Sequence, residues 1–164
     1  MGEIEIYYFS GTGNSLHVAR ELQKRISGTK IIPIINLLNS GVIETRAETV
    51  GFVFPIHMAM SPVPVRKFLD KIDLKSAKYI FTIATRVGTR HRAFIDVENI
   101  LKKQGKVSDS YFSLNMPSND PKFLDWHEAT QEEIADLEVE VQNKLDLIQE
   151  TIIKKEKSQK KDTT

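Results

Sequence analysis

The sequence predicts an α/β protein in which helices cover both faces of a five-stranded parallel sheet. Five short runs of the chain are almost continuously apolar, which is typical of strands that are buried on both faces. Segments with apolar residues at helical spacing lie between these runs, and this alternation indicates strands and helices wound into a parallel sheet. At 164 residues, the chain can bury such a core as a single domain.

Two strands and one helix are predicted at the start of the chain. Residues 4–9 (IEIYYF) indicate a buried strand, because isoleucine and aromatic residues follow one another closely. Residues 15–27 have the apolar spacing of a helix, and Gly28 is placed to end it. Residues 30–35 (KIIPII) form the second predicted strand. Pro33 favours a position at the sheet edge for this strand, because proline cannot donate a hydrogen bond to a neighbour.

The third and fourth strands are predicted in the middle of the chain. Residues 36–48 are ambiguous, and we expect a crossover there that could include one short helix. Residues 49–54 (TVGFVF) form the third strand and residues 79–85 (YIFTIAT) the fourth. Pro62 lies between them at a position typical of a first helical turn. The apolar stripe of that helix consists of Val65, Phe68, Leu69 and Ile72.

The last part of the chain adds a strand between two helices. Residues 90–104 are predicted as a helix and residues 107–116 as the fifth strand. Residues 117–129 form a long loop that contains Trp126, which could either cap a ligand or anchor the loop to the core. A long helix is predicted to begin at Thr130.

Composition and charge narrow the possible functions. We predict one domain over residues 1–153 and a charged, frayed tail over residues 154–164. The absence of cysteine excludes disulfides and cysteine-ligated clusters within this sequence, and no other metal-ligand set is identified. Lys and Arg number 23 against 22 Asp and Glu, which does not indicate nucleic-acid binding. No apolar run approaches the ~20 residues of a membrane span. We therefore expect a soluble, cytoplasmic protein.

Three loops follow predicted strands at the edge where such sheets bind ligands. Residues 10–15, 55–61 and 85–90 come after the first, third and fourth strands. In doubly wound sheets, ligands bind beyond the carboxyl ends of the strands. These loops are therefore the candidate site.

The first loop has the features of an anion site. Its residues are Ser10, Gly11, Thr12, Gly13, Asn14 and Ser15. The start of a helix leaves backbone N–H groups free, the glycines permit close approach, and the hydroxyl and amide side chains can donate hydrogen bonds. Leu16 and His17 stand where a nucleotide triphosphatase needs Lys followed by Ser or Thr, and Leu16 also replaces the third glycine of a dinucleotide fingerprint. A monophosphate ester fits this loop best.

The same loop resembles the phosphate loop of flavodoxins, which holds the phosphate of FMN. Residues 51–73, 79–88 and 114–120 resemble later segments of flavodoxin-like proteins that are often fused to a ferredoxin domain. The resemblance covers roughly residues 3–120. It implies a three-layer sandwich with strand order 2-1-3-4-5, bound FMN, and electron transfer with partners such as a ferredoxin or a ferredoxin reductase. Because this sequence has no cysteine, an iron–sulfur partner would be a separate protein. We also expect the protein to be a monomer or a weak dimer.

The other two loops are predicted to contact the flavin ring. The first of these offers apolar walls and backbone groups from Pro55, Ile56, His57, Met58 and Ala59, whereas Met60 could equally fill the core. Met58-Ala59-Met60 stands where the resemblance would place a glycine, so a glycine-type peptide flip, in which a backbone group bonds the reduced flavin, would require Ala59 to move near positive φ at some steric cost.

The loop after the fourth strand is predicted to approach the pyrimidine side of the ring. Its candidate residues are Thr85, Arg86, Val87 and Gly88. Positive charge from Arg86 and Arg90 would stabilise an anionic reduced flavin, which predicts a less negative second reduction potential than acidic flavodoxins have.

Three functions remain open from the sequence. In an electron carrier, the cofactor does the chemistry and no side chain is required as an acid, base or nucleophile. An NAD(P)H-dependent reductase of quinones or free flavin could use the same fold, with the basic loop receiving the nicotinamide nucleotide. A flavin-free module is the third possibility.

Overall fold

A parallel sheet of five strands forms the centre of the computed structural model, which describes residues 3–88, 91–117 and 129–158. In chain order the strands are β1 (Ile4–Tyr8), β2 (Thr29–Pro33), β3 (Ile43–Glu44), β4 (Thr49–Pro55), β5 (Ile72–Asp73), β6 (Tyr79–Arg86) and β7 (Ser110–Asn115). The sheet order is β2-β1-β4-β6-β7, with every pair parallel. This confirms the order 2-1-3-4-5 for the five predicted strands. The two short strands β3 and β5 pair separately.

Helices cover both faces of this sheet. They are α1 (Asn14–Arg25), α2 (Val63–Lys71), α3 (Ala93–Lys102) and α4 (Gln131–Lys154). One apolar cluster joins the sheet to α2 and α3, and a second joins it to α1 and α4. The predicted three-layer sandwich is therefore confirmed. Because both faces are covered, β4 is buried along almost its whole length, which explains its unbroken apolar sequence.

Close packing within the sheet depends on Gly51 in the middle of β4. Gly51 pairs with Phe81 of β6, and a Cβ atom added at Gly51 would lie 2.1 Å from Cζ of the Phe81 ring. A side chain at this position would therefore displace a fully buried aromatic ring. The glycine lets Phe81 lie across the strand.

Several predicted boundaries shift by a few residues. β2 ends at Pro33, and a 3-10 helix (Ile34–Leu37) replaces the last predicted strand residues, because proline cannot continue the ladder. This short helix and β3 occupy the crossover that was ambiguous from the sequence. β7 begins at Ser110, and Asp109 just before it bonds Ile80 twice: its N–H donates to the Ile80 carbonyl at 2.6 Å, and its Oδ2 accepts the Ile80 N–H at 2.8 Å.

The segment after α4 packs against the edge of the sheet. Lys155 ends the helix with a φ of 53°, and Ser158 then forms a parallel bridge with Ser110. The Ser158 N–H donates to the Asp109 carbonyl at 2.9 Å, and the Tyr111 N–H donates to the Ser158 carbonyl at 3.3 Å. This charged segment, which we expected to fray from residue 154, is thus bound to the start of β7 up to residue 158, because the edge strand has free backbone groups there. Residues 159–164 lie outside the described residues.

Within the described residues, no helix combines the length and apolar character needed to cross a bilayer. In the same residues, no group of three or more histidine or acidic side chains is arranged to hold a metal ion.

Candidate functional site

The three candidate loops follow adjacent strands and meet at one edge of the sheet. β1, β4 and β6 are neighbours, with Tyr8 in register with Val53 and Pro55 in register with Thr85. Backbone bonds continue beyond the strands, since the Phe9 N–H donates to the Val53 carbonyl and the Ile56 N–H to the Thr85 carbonyl, both at 2.9 Å. The structure therefore brings all three loops together, as the sequence predicts.

The first loop leads directly into α1. The Gly13 N–H donates to Ser10 Oγ at 3.1 Å, and Gly13 precedes the helix with a φ of 99°, a conformation that glycine adopts without a steric penalty. Gly11, Thr12 and Gly13 are exposed. No side chain of the described residues caps α1, and its first turn contains no acidic residue. The start of the helix therefore offers its free backbone N–H groups and its positive dipole end to an anion.

Two polar side chains of this loop have partners in other parts of the protein. Asn14 Nδ2 donates to the Pro117 carbonyl at 3.3 Å, which ties the loop to the segment after β7. Ser15 is 1% exposed, and its Oγ lies 3.0 Å from Thr85 Oγ1 on β6. The Ser15 hydroxyl thus lies on the buried side of α1, because the helix turns this residue toward the sheet. Of the other two hydroxyl residues of the loop, Thr12 is exposed and Ser10 is half-buried, with its Oγ accepting the Gly13 N–H.

The second loop contains a tight turn with an unfavourable backbone. His57 and Met60 exchange two backbone hydrogen bonds, each 2.9 Å long. The two residues between them, Met58 and Ala59, have φ angles of 49° and 62°. Positive φ at both central positions defines a type I′ turn, which strongly favours Asn and Gly. Each of these residues costs about 1–2 kcal/mol in this region, so the surrounding contacts must hold the turn.

The side chains of this turn lie near the end of β1. The His57 ring meets the Phe9 ring edge to face, with centroids 6.1 Å apart, and Met58 is 97% exposed. Met60 is half-buried, and its backbone closes the turn. The exposed Met58 side chain gives this loop an adaptable apolar surface.

The start of α3 holds the same turn from its other side. The Arg92 N–H donates to the Ala59 carbonyl at 2.8 Å. Asp96 Oδ2 accepts bonds from both the backbone N–H (3.3 Å) and the hydroxyl (3.1 Å) of Ser61. Asp96 is missed by the sequence analysis, where its only visible signal is an acidic residue in a first helical turn.

The third loop continues from β6 at Thr85, which is buried. Arg86 is held to the neighbouring strand: its Nε donates to Asn115 Oδ1 at 3.1 Å, and its carbonyl accepts from the Met116 N–H at 2.8 Å. Val87 and Gly88 are exposed, and Gly88 has a φ of 68°. Arg90 of the predicted basic cluster, and Trp126 of the long loop, lie outside the described residues.

The free space at this edge fits a ligand that approaches the backbone closely. Among the described residues, no heavy atom lies within 4 Å of where a Cβ would stand at Gly11, Gly13 or Gly88, apart from their chain neighbours. They belong to the first and third loops, and the second loop between them in the strand order carries the exposed Met58. The residues present therefore fit a group with an anionic end at α1 and a flat apolar body between the second and third loops.

Known structures share this architecture. The Smu.1420 protein of Streptococcus mutans UA159 matches with a TM-score of 0.58 and 12% identity, over 88% of this chain and 99% of that protein. A flavoprotein from Lactobacillus acidophilus NCFM in complex with FMN matches with a TM-score of 0.54 and 13% identity, over 69% and 93% of the two chains. The two-electron reduced flavodoxin of Megasphaera elsdenii matches with a TM-score of 0.51 and 16% identity, over 73% and 91%.

The fold is therefore the flavodoxin-like one. At these identities the likeness shows the architecture alone. No protein-family model matches the sequence, and no curated protein matches it at a significant level. The sequence resemblance to flavodoxin-like proteins is confirmed for the fold.

Proposed function

We propose that this chain binds FMN non-covalently at the carboxyl edge of its sheet and carries electrons between cytoplasmic redox partner proteins. The observation that supports this best is the exposed start of α1, which has no side-chain cap or acidic first turn within the described residues. Such a helix start attracts a phosphate monoester through backbone N–H groups and the helix dipole. Bound FMN would supply one- or two-electron chemistry, so no side chain is required as an acid, base or nucleophile.

The remaining site residues divide by the part of FMN that they would contact. Ser10, Gly11, Thr12 and Gly13 would hold the phosphate, with Asn14 and Ser15 fixing the loop through Pro117 and Thr85. The segment from Pro55 to Ala59 and the segment from Thr85 to Gly88 would flank the isoalloxazine ring. In this arrangement the protein binds and orients the cofactor and sets its potential.

Calorimetry with the flavin-free protein tests this proposal. FMN is expected to bind, and riboflavin, which lacks the phosphate, is expected to bind at least about 100-fold more weakly, because charge-assisted hydrogen bonds to the phosphate are lost. Gly13→Ala should weaken FMN more than riboflavin, because alanine is strained at a φ of 99°. Gly41→Ala is the matched control, since Gly41 is exposed and open and lies outside the site.

The assay separates the alternatives. If FMN and riboflavin bind equally, the helix start does not hold the phosphate, and the proposed site is wrong. If neither binds, the flavin-free module is the correct interpretation. Sustained NAD(P)H oxidation with a quinone would favour the reductase over the carrier, whereas reduction by a ferredoxin or ferredoxin reductase without quinone turnover would support the carrier.

A further inference from the structure

Asp96 lies outside the residues that would contact the cofactor, yet it is connected to the strained turn of the second loop. Its side chain is 9% exposed, in the first turn of α3. A carboxylate at this depth requires hydrogen-bond partners. Its Oδ2 accepts both the N–H and the hydroxyl of Ser61, which is itself 1% exposed.

A second connection runs from the same helix end to the turn. Arg92 directly precedes α3, and its N–H donates to the Ala59 carbonyl at 2.8 Å. The Arg92 Nε also lies 3.5 Å from Asp96 Oδ1, and the Asp96 N–H donates to the Arg92 carbonyl at 3.1 Å. The start of α3 therefore holds the chain at residue 59 and again at residue 61.

These two attachments lie on either side of Met60, where the His57–Met60 turn ends, and the backbone of that turn is unfavourable. Met58 and Ala59 both have positive φ, and the Met58 side chain is 97% exposed, so apolar burial of that side chain does not hold the turn. A non-glycine residue persists in this region only where its surroundings over-determine it. The contacts of the described residues that can do so include the His57–Met60 bridge, the packing of His57 on Phe9 and the attachments to α3.

We propose that Asp96 is a positioning residue that holds the His57–Met60 turn in its binding geometry before the flavin arrives. The carboxylate fixes Ser61, Ser61 fixes the end of the turn, and the turn presents its surface to the isoalloxazine ring. This inference rests on the proposed function for the identity of the ligand. The connection between Asp96 and the turn rests on the protein's own contacts.

Hydrogen exchange of the flavin-free protein tests the connection without any ligand. Asp96→Ala should speed exchange of the His57 and Met60 amides by about ten-fold or more, because a charge-assisted bond to a buried group is lost. Asp96→Asn keeps an acceptor oxygen and should stay within about three-fold of the wild type. The control is Asp70→Ala, which removes an exposed aspartate that pairs with Lys103. Exchange that is unchanged in Asp96→Ala, or raised equally in Asp70→Ala, would overturn the proposal.

Measuring the affinities for FMN and riboflavin then tests whether the turn that Asp96 positions contacts the isoalloxazine ring. Because the turn is proposed to contact the ring, Asp96→Ala should weaken both ligands by the same factor, about ten-fold, and leave their affinity ratio unchanged. Asp96→Asn should restore most of the affinity. Ser61→Ala, a milder change that keeps the backbone N–H, should act in the same direction, and its effect should not add to that of Asp96→Ala.

The two failures can be told apart. If wild-type protein binds no flavin, the proposed function fails and the ring contact fails with it, while the exchange experiment still decides whether Asp96 holds the turn. If the wild type binds FMN but Asp96→Ala changes only the phosphate-dependent part of the affinity, the positioning role is wrong and the proposed function stands.

Discussion

Met58 combines an exposed apolar side chain with a left-handed backbone. Neither property stabilises the folded chain, since an exposed side chain gains little from burial and a positive φ is unfavourable for any residue except glycine. The neighbouring Ala59 has the same backbone conformation. Local strain of this kind is characteristic of functional loops, and here it lies at the edge of the sheet that we assign to flavin binding.

Arg86 is the residue that tests the electrostatic hypothesis. If its guanidinium lies near the bound flavin, Arg86→Glu should make the second reduction potential more negative by roughly 60 mV, equivalent to about 1.4 kcal/mol for one electron. A redox titration measures this shift.

The control for this measurement is Arg46→Glu, which makes the same charge change. Arg46 is exposed and precedes β4, whereas Arg86 ends β6 at the carboxyl edge of the sheet. The hypothesis is contradicted if the second potential does not move in Arg86→Glu, or moves as far in Arg46→Glu.

At the scale of elements, Arg25 makes several of the polar contacts between α1 and α4, beside the His17–Glu138 pair. Arg25 donates to Asp146 Oδ1 and Gln142 Oε1, both at 2.5 Å, and to Gln149 Oε1 at 3.2 Å. Its side chain is 17% exposed, whereas the Asp146 side chain is 70% exposed, so the guanidinium is largely buried and the carboxylate that it meets is not. The planar guanidinium suits several acceptors at once, which a lysine could not satisfy. This contact fixes the first helix, which carries the proposed phosphate site, against the last.

Arg25→Ala is expected to lower the free energy of unfolding by about 1–3 kcal/mol, because several hydrogen bonds to a partly buried charge are lost together. Urea denaturation measures the change. Lys24→Ala is the comparison: Lys24 is 74% exposed and lies 3.8 Å from Glu21, so it should change stability by less than about 0.5 kcal/mol. Equal effects in the two variants would show that the α1–α4 contact contributes nothing specific.

At the scale of the whole molecule, buried tyrosines make stability sensitive to alkali. Burial raises the pKa of Tyr79, and it raises the pKa of Tyr111 to about 12. Burial and the nearby Glu5 carboxylate also raise the pKa of Tyr7. The folded protein thus favours the neutral phenol more than the unfolded chain does, whose tyrosines titrate at about 10. The corresponding stability is complete below pH 10 and is lost as pH rises through 12.

We expect the urea midpoint of the protein to fall steeply between pH 10 and 12. Tyr111→Phe should have a shallower fall over the same range, because phenylalanine has no proton to lose. Lysine and arginine titrate equally in both proteins, so the difference between them isolates Tyr111. Parallel curves for the two proteins would contradict the assignment.

The strands and the order of the loops could be predicted from residues 4–116, because strands that are buried on both faces consist almost entirely of apolar residues. β4 and β6 read as continuous apolar runs, and their boundaries in the structure differ from the prediction by one residue. The Ser10–Ser15 segment was also recognisable, since the position of glycine before a helix is a local property.

The contacts that shape the site could not be predicted in the same way. Ser15 meets Thr85 across 70 residues, Ser61 meets Asp96 across 35, and Arg25 meets Asp146 across 121. A side chain's partner at such separations depends on how helices are turned against the sheet, and periodicity does not specify that rotation closely enough. The type I′ turn could not be predicted from the local sequence, because Met58 and Ala59 do not favour it. Contacts with residues far away in the chain impose it.

The sequence by itself determined the α/β class, the five main strands and the loop that would receive a phosphate, because short-range patterns of burial and turn chemistry carry that information. Only the tertiary structure decided which hydroxyl of that loop turns inward, how the second loop bends, and that Asp96 bonds Ser61 at the end of that bend. Those features depend on contacts between residues far apart in the chain, whose geometry exists only once helices and sheet are packed together.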